Sequence, residues 1–219
     1  MTLALYGHPF ASFVWKALIA LYERHVAFEF RMIDPDHPDN QARIGELTPT
    51  GQFPALVDGE RAVIESNCVI EYLDLHHGDA PPMVPADPSE ALEAREMADV
   101  FDDYIHAPMQ RIVADALRGK HERDPRGVAD ARAMLERSYA WLERRLGDRQ
   151  WAAGGRFTLA DCAAAPALFY ADWTHRIPAR HTALTAYRAR LLARPSVARV
   201  IEEARPYRAF FPLGAPDRD

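Results

Sequence analysis

The sequence predicts a small α/β domain of order β-α-β-α-β-β-α followed by an all-α helical-bundle domain. Three observations predict it. Up to His77, segments of strand and helix patterning alternate. The stretch after it carries Pro81, Pro82, Pro85 and Pro88. Beyond those prolines the apolar residues recur only at helical spacing. The boundaries fall at residues 1–78 for the first domain, 79–87 for a semi-rigid linker and 88–219 for the second domain.

The elements follow in order. Thr2 to Tyr6 is a short apolar strand, broken by Gly7-His8-Pro9. Phe10 to Arg24 is a helix, because Phe13, Val14, Ala17, Leu18 and Leu21 share one face. Ala27 to Met32 is a second strand, and Asp39 to Leu47 a short helix after a proline-flanked loop. Ala55–Val57 and Ala62–Ile64 flank Asp58-Gly59, a hairpin signal. Glu65 to His77 is helical again. After the linker, Asp87-Pro88-Ser89-Glu90 and Asp124-Pro125 each open a helix with an aspartate cap and a proline in the first turn. The first of these runs toward Gly119 with Pro108 inside it, where a kink is expected. The second runs to Gly147, and further helices fit Leu159–Asp172, Thr182–Ala193 and Ser196–Ala204.

Composition excludes several classes of function. The 219 residues are 48% hydrophobic and 26% charged, ordinary for a globular chain. The net charge of −6 argues against a general nucleic-acid binder, which needs a basic surface. No apolar run is long enough for a membrane span. The N-terminus lacks the basic region and cleavage site of a secretory signal, and Cys68 and Cys162 form neither a disulfide framework nor a zinc motif. The expectation is a cytoplasmic protein. His76-His77 is an adjacent pair that cannot converge on one point from a helix, and there is no HExxH, so no metal site is expected.

Three segments carry more specific information: Leu5-Tyr6-Gly7-His8-Pro9-Phe10-Ala11-Ser12; Thr48-Pro49-Thr50-Gly51-Gln52-Phe53-Pro54-Ala55-Leu56-Val57-Asp58-Gly59, running on to Val63-Ile64-Glu65-Ser66; and Gly155-Arg156-Phe157-Thr158-Leu159-Ala160-Asp161. In this order and spacing, over nearly the whole chain, they resemble a glutathione S-transferase: a thioredoxin-like domain, a linker and a helical domain. The resemblance implies glutathione as cosubstrate, no tightly bound cofactor, a small hydrophobic electrophile as second substrate and a homodimer. It also implies a cis Phe53–Pro54 bond that leaves the Phe53 main chain able to pair with the cysteinyl part of the tripeptide. On the residues alone, an ordinary trans proline opening a strand fits equally.

Glu65-Ser66 stands at a helix start, where an acidic residue and a hydroxyl serve as a cap. The same position can hold the γ-glutamyl carboxylate on exposed N–H groups and the Ser66 hydroxyl, with Glu65 accepting from the ammonium. Gln52 and His37 are the candidates for the other end of the peptide, although a histidine in a Pro-rich loop is as readily just solvated. Thr158-Leu159-Ala160-Asp161 is a capping box with a structural role. Phe10, Phe13, Tyr104, Met109 and Ile112 are candidates to line an apolar electrophile pocket, and otherwise belong to the core. Asp102, Asp103 and His106, near the kink, are expected to reach a site from either subunit. The aromatic tail Pro206–Pro212 either folds back over the pocket or packs on the helical domain.

A free thiol has a pKa of about 8.5 and attacks as the thiolate, so the enzyme must stabilise S⁻. Serine-type relatives carry their hydroxyl two residues after the proline, where this chain has Ala11. Ser12 lies one further, at the position of the beta-class cysteine and of the second serine of the zeta class. Ser12 is therefore the candidate for thiolate stabilisation, with Tyr6 as its rival and backbone amides as a further source. The leading reading is a detoxifying transferase. The alternatives are a glutathione-dependent isomerase, peroxidase or dehalogenase, and a non-catalytic binding protein on the same fold.

Overall fold

The computed structural model describes residues 3–77 and 80–219. The expected strand start at Thr2 and the domain boundary at Gly78 and Asp79 lie outside the described residues. The first domain runs β1 (Ala4–Gly7), α1 (Ser12–Glu23), β2 (Glu29–Met32), α2 (Pro38–Leu47), β3 (Ala55–Asp58), β4 (Arg61–Ile64) and α3 (Ser66–His76). The sheet order is β2-β1-β3-β4. β1 pairs with β2 in parallel, Leu5 opposite Phe30, and with β3 antiparallel, Leu5 opposite Leu56. β3 and β4 close a two-residue hairpin, Asp58 opposite Arg61, turned by Gly59 at φ 61°.

The helical domain runs α4 (Pro88–Val100), a π-helical segment (Phe101–His106), α5 (Ala107–Leu117), α6 (Pro125–Leu146), α7 (Leu159–Thr174), α8 (Thr182–Leu192) and α9 (Pro195–Ala204). A 3₁₀ segment, Arg205–Phe210, follows. Asp87 caps α4 by accepting from Ser89 N and Glu90 N, and Asp124 caps α6 through Gly127 N. Both caps fall where the sequence signals them.

Three boundaries differ from expectation. α1 begins at Ser12, not Phe10, because Pro9 and Phe10 form a turn and Ala11 is still extended at φ −89°, ψ 123°. β2 begins at Glu29. The single kinked helix expected over Pro88–Gly119 is instead two α-helices joined by the wide turns of Phe101–His106. Pro108 accounts for this: it has no N–H to give to the carbonyl four residues earlier, and its ring crowds that carbonyl, so the disruption falls on the turn before it.

α7 is the central post of the molecule. Every residue from Leu159 to Trp173 is buried, and its run of alanines lets neighbouring helices approach closely. Trp15 of α1 packs on Phe169 and Tyr170 of α7, and joins the two domains in one core. The cap of α7 is buried throughout. Asp161 accepts from Thr158 N at 2.9 Å, Ala152 N at 3.0 Å and Tyr187 OH at 2.6 Å. Burial pushes its carboxyl up to about 6. Buried Arg24 ties α1 to the linker by donating to the carbonyls of His77, Ala80 and Pro81. Asp74 receives Met83 N and Val84 N from the other side. Cys162 is core, and Cys68 is exposed on α3. No helix among the described residues is long and apolar enough to cross a membrane.

Candidate functional site

A cleft of ≈ 890 Å³ lies between the two domains. One wall is built by the starts of α1 and α3 and by the loop before β3. Gly7 makes the α1 start possible: a Cβ there would lie 2.6 Å from a Val14 methyl. β1 can thus run tight against α1 and deliver Ser12 to the cleft. Ser12 is the first residue of α1, and its Oγ lies 2.5 Å from Nε2 of His106 at the end of the π segment. His106 is 3% exposed, and its ring sits 4.3 Å from that of Phe13. Burial, helped by the positive charge of Lys16, holds its pKa down to about 4. At neutral pH the imidazole is uncharged.

Lys16 lies one turn beyond Ser12 and meets Asp102 Oδ2 at 2.5 Å, with the lysine fully buried. Burial pulls the ammonium pKa down and the carboxyl pKa up, and the partner's charge opposes both shifts. Asn67 of α3 donates to the same oxygen at 3.4 Å. The π segment therefore presents two side chains to the first domain: His106 to Ser12, and Asp102 to Lys16 and Asn67.

At the start of α3, Glu65 has φ 68° and ψ 119°. A non-glycine residue with this φ stores roughly 1–3 kcal/mol of strain, a condition found chiefly at ligand sites. Ser66 is buried, and the first N–H groups of α3 have no intrahelical acceptor. That end of the helix lies on the cleft wall, which Glu65 and Ser66 line. Between it and Ser12, Gln52 and the Phe53–Pro54 peptide line the cleft, and the bond is cis. Apolar side chains complete the lining: Phe10 and Phe13 beside the start of α1, and Met109, Val113, Phe211 and Pro212 from the helical domain. Asp102 and Asp103 also line the cleft.

Two family models match the chain, one described as the N-terminal domain of glutathione S-transferase over residues 5–81 and one as its C-terminal domain over residues 113–190. A solved glutathione S-transferase from Methylobacterium radiotolerans, in complex with glutathione sulfonate, is 30% identical. It aligns over 92% of this chain and 95% of its own, with a TM-score of 0.79. The chain belongs to the glutathione S-transferase family. A glutathione S-transferase from Silene vulgaris is 29% identical over 90% of this chain and 95% of its own length. A probable maleylacetoacetate isomerase from Vibrio cholerae is 28% identical over 94% and 98% respectively.

The transferase fold brings Ser12, Gln52, Phe53, Pro54, Glu65 and Ser66 to one cleft, together with Phe10, Phe13 and Met109. Four other candidates lie elsewhere. Tyr6 alternates away from Leu5 and packs with Ile33, Ile44 and Ala55 on the α2 face of the sheet, off the cleft wall. Tyr104 is half exposed and Ile112 is in the core; neither lines the cleft, whereas Met109 and Val113, on other faces of the same stretch, do. His37 stands just before α2, its Nδ1 2.6 Å from Asp34 Oδ1, outside the cleft lining. Conversely, the sequence gives no sign of two features. One is the bond between Ser12 and His106; the other is Tyr170, buried in α7 yet reaching the cleft. The tail does return to the cleft, through Phe210, Phe211 and Pro212.

Proposed function

We propose that this chain is a glutathione transferase that conjugates the glutathione thiolate to small, neutral, apolar electrophiles. The observation that carries this reading is the convergence of the α3 start at Glu65-Ser66, the cis Phe53–Pro54 edge and the Ser12 hydroxyl on a cleft whose lining includes apolar side chains from both domains. The α3 N-terminus and Ser66 take the γ-glutamyl carboxylate, and Glu65 takes the ammonium. The Phe53 main chain pairs with the cysteinyl residue. Gln52 takes the glycyl end, joined by His37 from beside the cleft. The sulfur then sits at the start of α1.

There a thiolate favours the imidazole tautomer with its proton on Nε2. His106 then donates to Ser12 Oγ, and the Ser12 proton is free to point at the sulfur. Because His106 is neutral, activation comes from this two-bond chain and from the helix N-terminus, not from a full positive charge. The thiolate attacks an electron-poor carbon, the S–C bond forms, and the leaving group departs with its electron pair. Three carboxylates, Glu65, Asp102 and Asp103, and no Arg or Lys line the cleft among the described residues. This favours a neutral second substrate over a diacid. Ser12 at the second-serine position, with the similarity to a probable maleylacetoacetate isomerase, supports glutathione-dependent isomerisation as a second reading.

Retention on glutathione resin with turnover of chlorodinitrobenzene is the expected result. Retention without turnover, but with cis–trans isomerisation of an unsaturated acid, would move the assignment to the second reading. Absence of both retention and turnover would leave a non-catalytic protein. The proposal includes a homodimer in the cytoplasm. Leu75 of α3 and Leu92 of α4 are 77% and 68% exposed, apolar surface that a second subunit would cover. Light scattering at micromolar concentration should give about twice the 24.7 kDa chain mass; a monomer mass rejects the dimer.

A further inference from the structure

Phe10 lies two residues before Ser12, and side chains hold both of its backbone polar groups. Its N–H donates to His8 Nδ1 at 3.1 Å, and its carbonyl accepts from Tyr170 OH at 2.8 Å. Two more bonds brace the same loop: Trp15 Nε1 donates to Pro9 O at 2.6 Å, and Ala11 N to His8 O at 2.9 Å. The rings of His8 and Tyr170 also carry the aromatic segment that follows α9. His8 meets Tyr207 edge-on at 4.6 Å and Phe210 at 6.3 Å. Tyr170 stacks with Phe211 at 6.3 Å and meets Phe10 itself edge-on at 5.5 Å. Phe210, Phe211 and Pro212 in turn line the apolar wall of the cleft.

We propose that His8 and Tyr170 are positioning residues that join the 205–212 segment to the Phe10 backbone, so that the apolar wall and the Ser12 hydroxyl are set as one unit. This rests on the transferase reading of the cleft. A segment that merely packed would need ring faces only. Here each ring offers its face or edge to the segment and its polar atom to the loop. Release of either polar atom leaves a backbone group of Phe10 without its partner. The turn leading into α1 then relaxes, and the hydroxyl two residues on loses its aim. Small displacements of a reacting group are costly: about 1 Å can cost ~10²-fold in rate.

Three variants separate the two halves of each residue. Tyr170→Phe keeps the ring and removes the donor. His8→Phe keeps a ring and removes the acceptor. His8→Asn removes the ring and keeps an acceptor, because the amide oxygen falls near the place of Nδ1. The readouts are the pKa of the bound glutathione thiol, followed by thiolate ultraviolet absorbance against pH, and kcat and KM for chlorodinitrobenzene, with melting temperature alongside. Tyr170→Phe and His8→Phe should raise the bound thiol pKa by about half a unit or more, and lower kcat about threefold or more, with KM for the electrophile within about twofold. His8→Asn should keep the wild-type thiol pKa and raise that KM about threefold. A wild-type thiol pKa in both Tyr170→Phe and His8→Phe overturns the proposal. So does an equal shift in all three variants, which would mean general loosening of the loop. A wild-type protein that binds glutathione without lowering its thiol pKa overturns the transferase reading instead, and this inference with it.

Discussion

On the proposed reading, replacing Ser12 with alanine removes one donor to the thiolate; it also removes the partner of His106. Both consequences can be sized from the structure. The hydroxyl stands in the first turn of α1, 8% exposed, where a hydrogen bond to a charged group contributes roughly 1.5–3 kcal/mol. At 1.36 kcal/mol per pKa unit this is an upward shift of about one to two units in the thiol pKa. The profile of kcat/KM against pH, with chlorodinitrobenzene at saturating glutathione, should therefore move toward the free-thiol value. The loss of rate should be about ten- to a hundredfold near neutrality and small above about pH 9, where glutathione ionises unaided. The second consequence is structural. His106 Nε2 loses its 2.5 Å partner while the ring remains buried, which costs about 1–3 kcal/mol of stability, read from urea unfolding. Tyr6→Phe is the control, since Tyr6 packs on the α2 face of the sheet. An unshifted profile in Ser12→Ala refutes the assignment of the hydroxyl. It would leave the helix N-terminus as the main source of activation.

Glu65→Ala and Ser66→Ala should each weaken glutathione binding about ten- to a hundredfold by calorimetry; unchanged affinity with a lower melting temperature would make the pair a cap alone. Glu65→Gly should lose the same affinity yet gain stability, because glycine accepts φ 68° without strain. His106 gives a pH dependence of defined sign. Its pKa falls from 6.5 to about 4 on folding, so the unfolded chain binds more protons between those values. Its contribution to stability is full above about pH 6.5 and is lost as pH falls toward 4, about 3 kcal/mol in all. Wild type should lose that much more stability than His106→Gln over this window, and parallel curves would contradict the argument. Asp161, raised to about 6, acts in the opposite sense, so only the difference between the two proteins is diagnostic. Asp161→Ala strands Thr158 N, Ala152 N and Tyr187 OH inside the core and should cost more than ~3 kcal/mol of stability in denaturant.

The sequence by itself determined whatever depends on near neighbours. Asp58-Gly59 makes a hairpin because a two-residue turn needs a residue that tolerates positive φ, and Gly59 supplies it. Asp87-Pro88 and Asp124-Pro125 start helices because cap, ring and first turn lie within four residues of one another. The order of elements, the capping box at Thr158 and the gathering of Gln52, Phe53, Pro54, Glu65 and Ser66 in one cleft were legible for the same reason, once the spacing of the three motifs suggested the family. Tertiary structure decided the rest. Tyr6 and Ser12 are both plausible donors in the sequence; only the packing of β1 between α1 and α2 sends one to the sheet's far face and the other to the cleft. Ser12 and His106 are 94 residues apart, and neither residue's local pattern encodes the distance between them. That distance depends on α1 docking against α7 and on six π-helical residues that turn His106 inward. The sequence left the aromatic tail two landing places; its ring contacts with His8 and Tyr170, residues distant in the chain, put it on the cleft. Local signals act through a few dihedral angles, whereas the site is assembled by contacts between segments that meet only when both domains have packed.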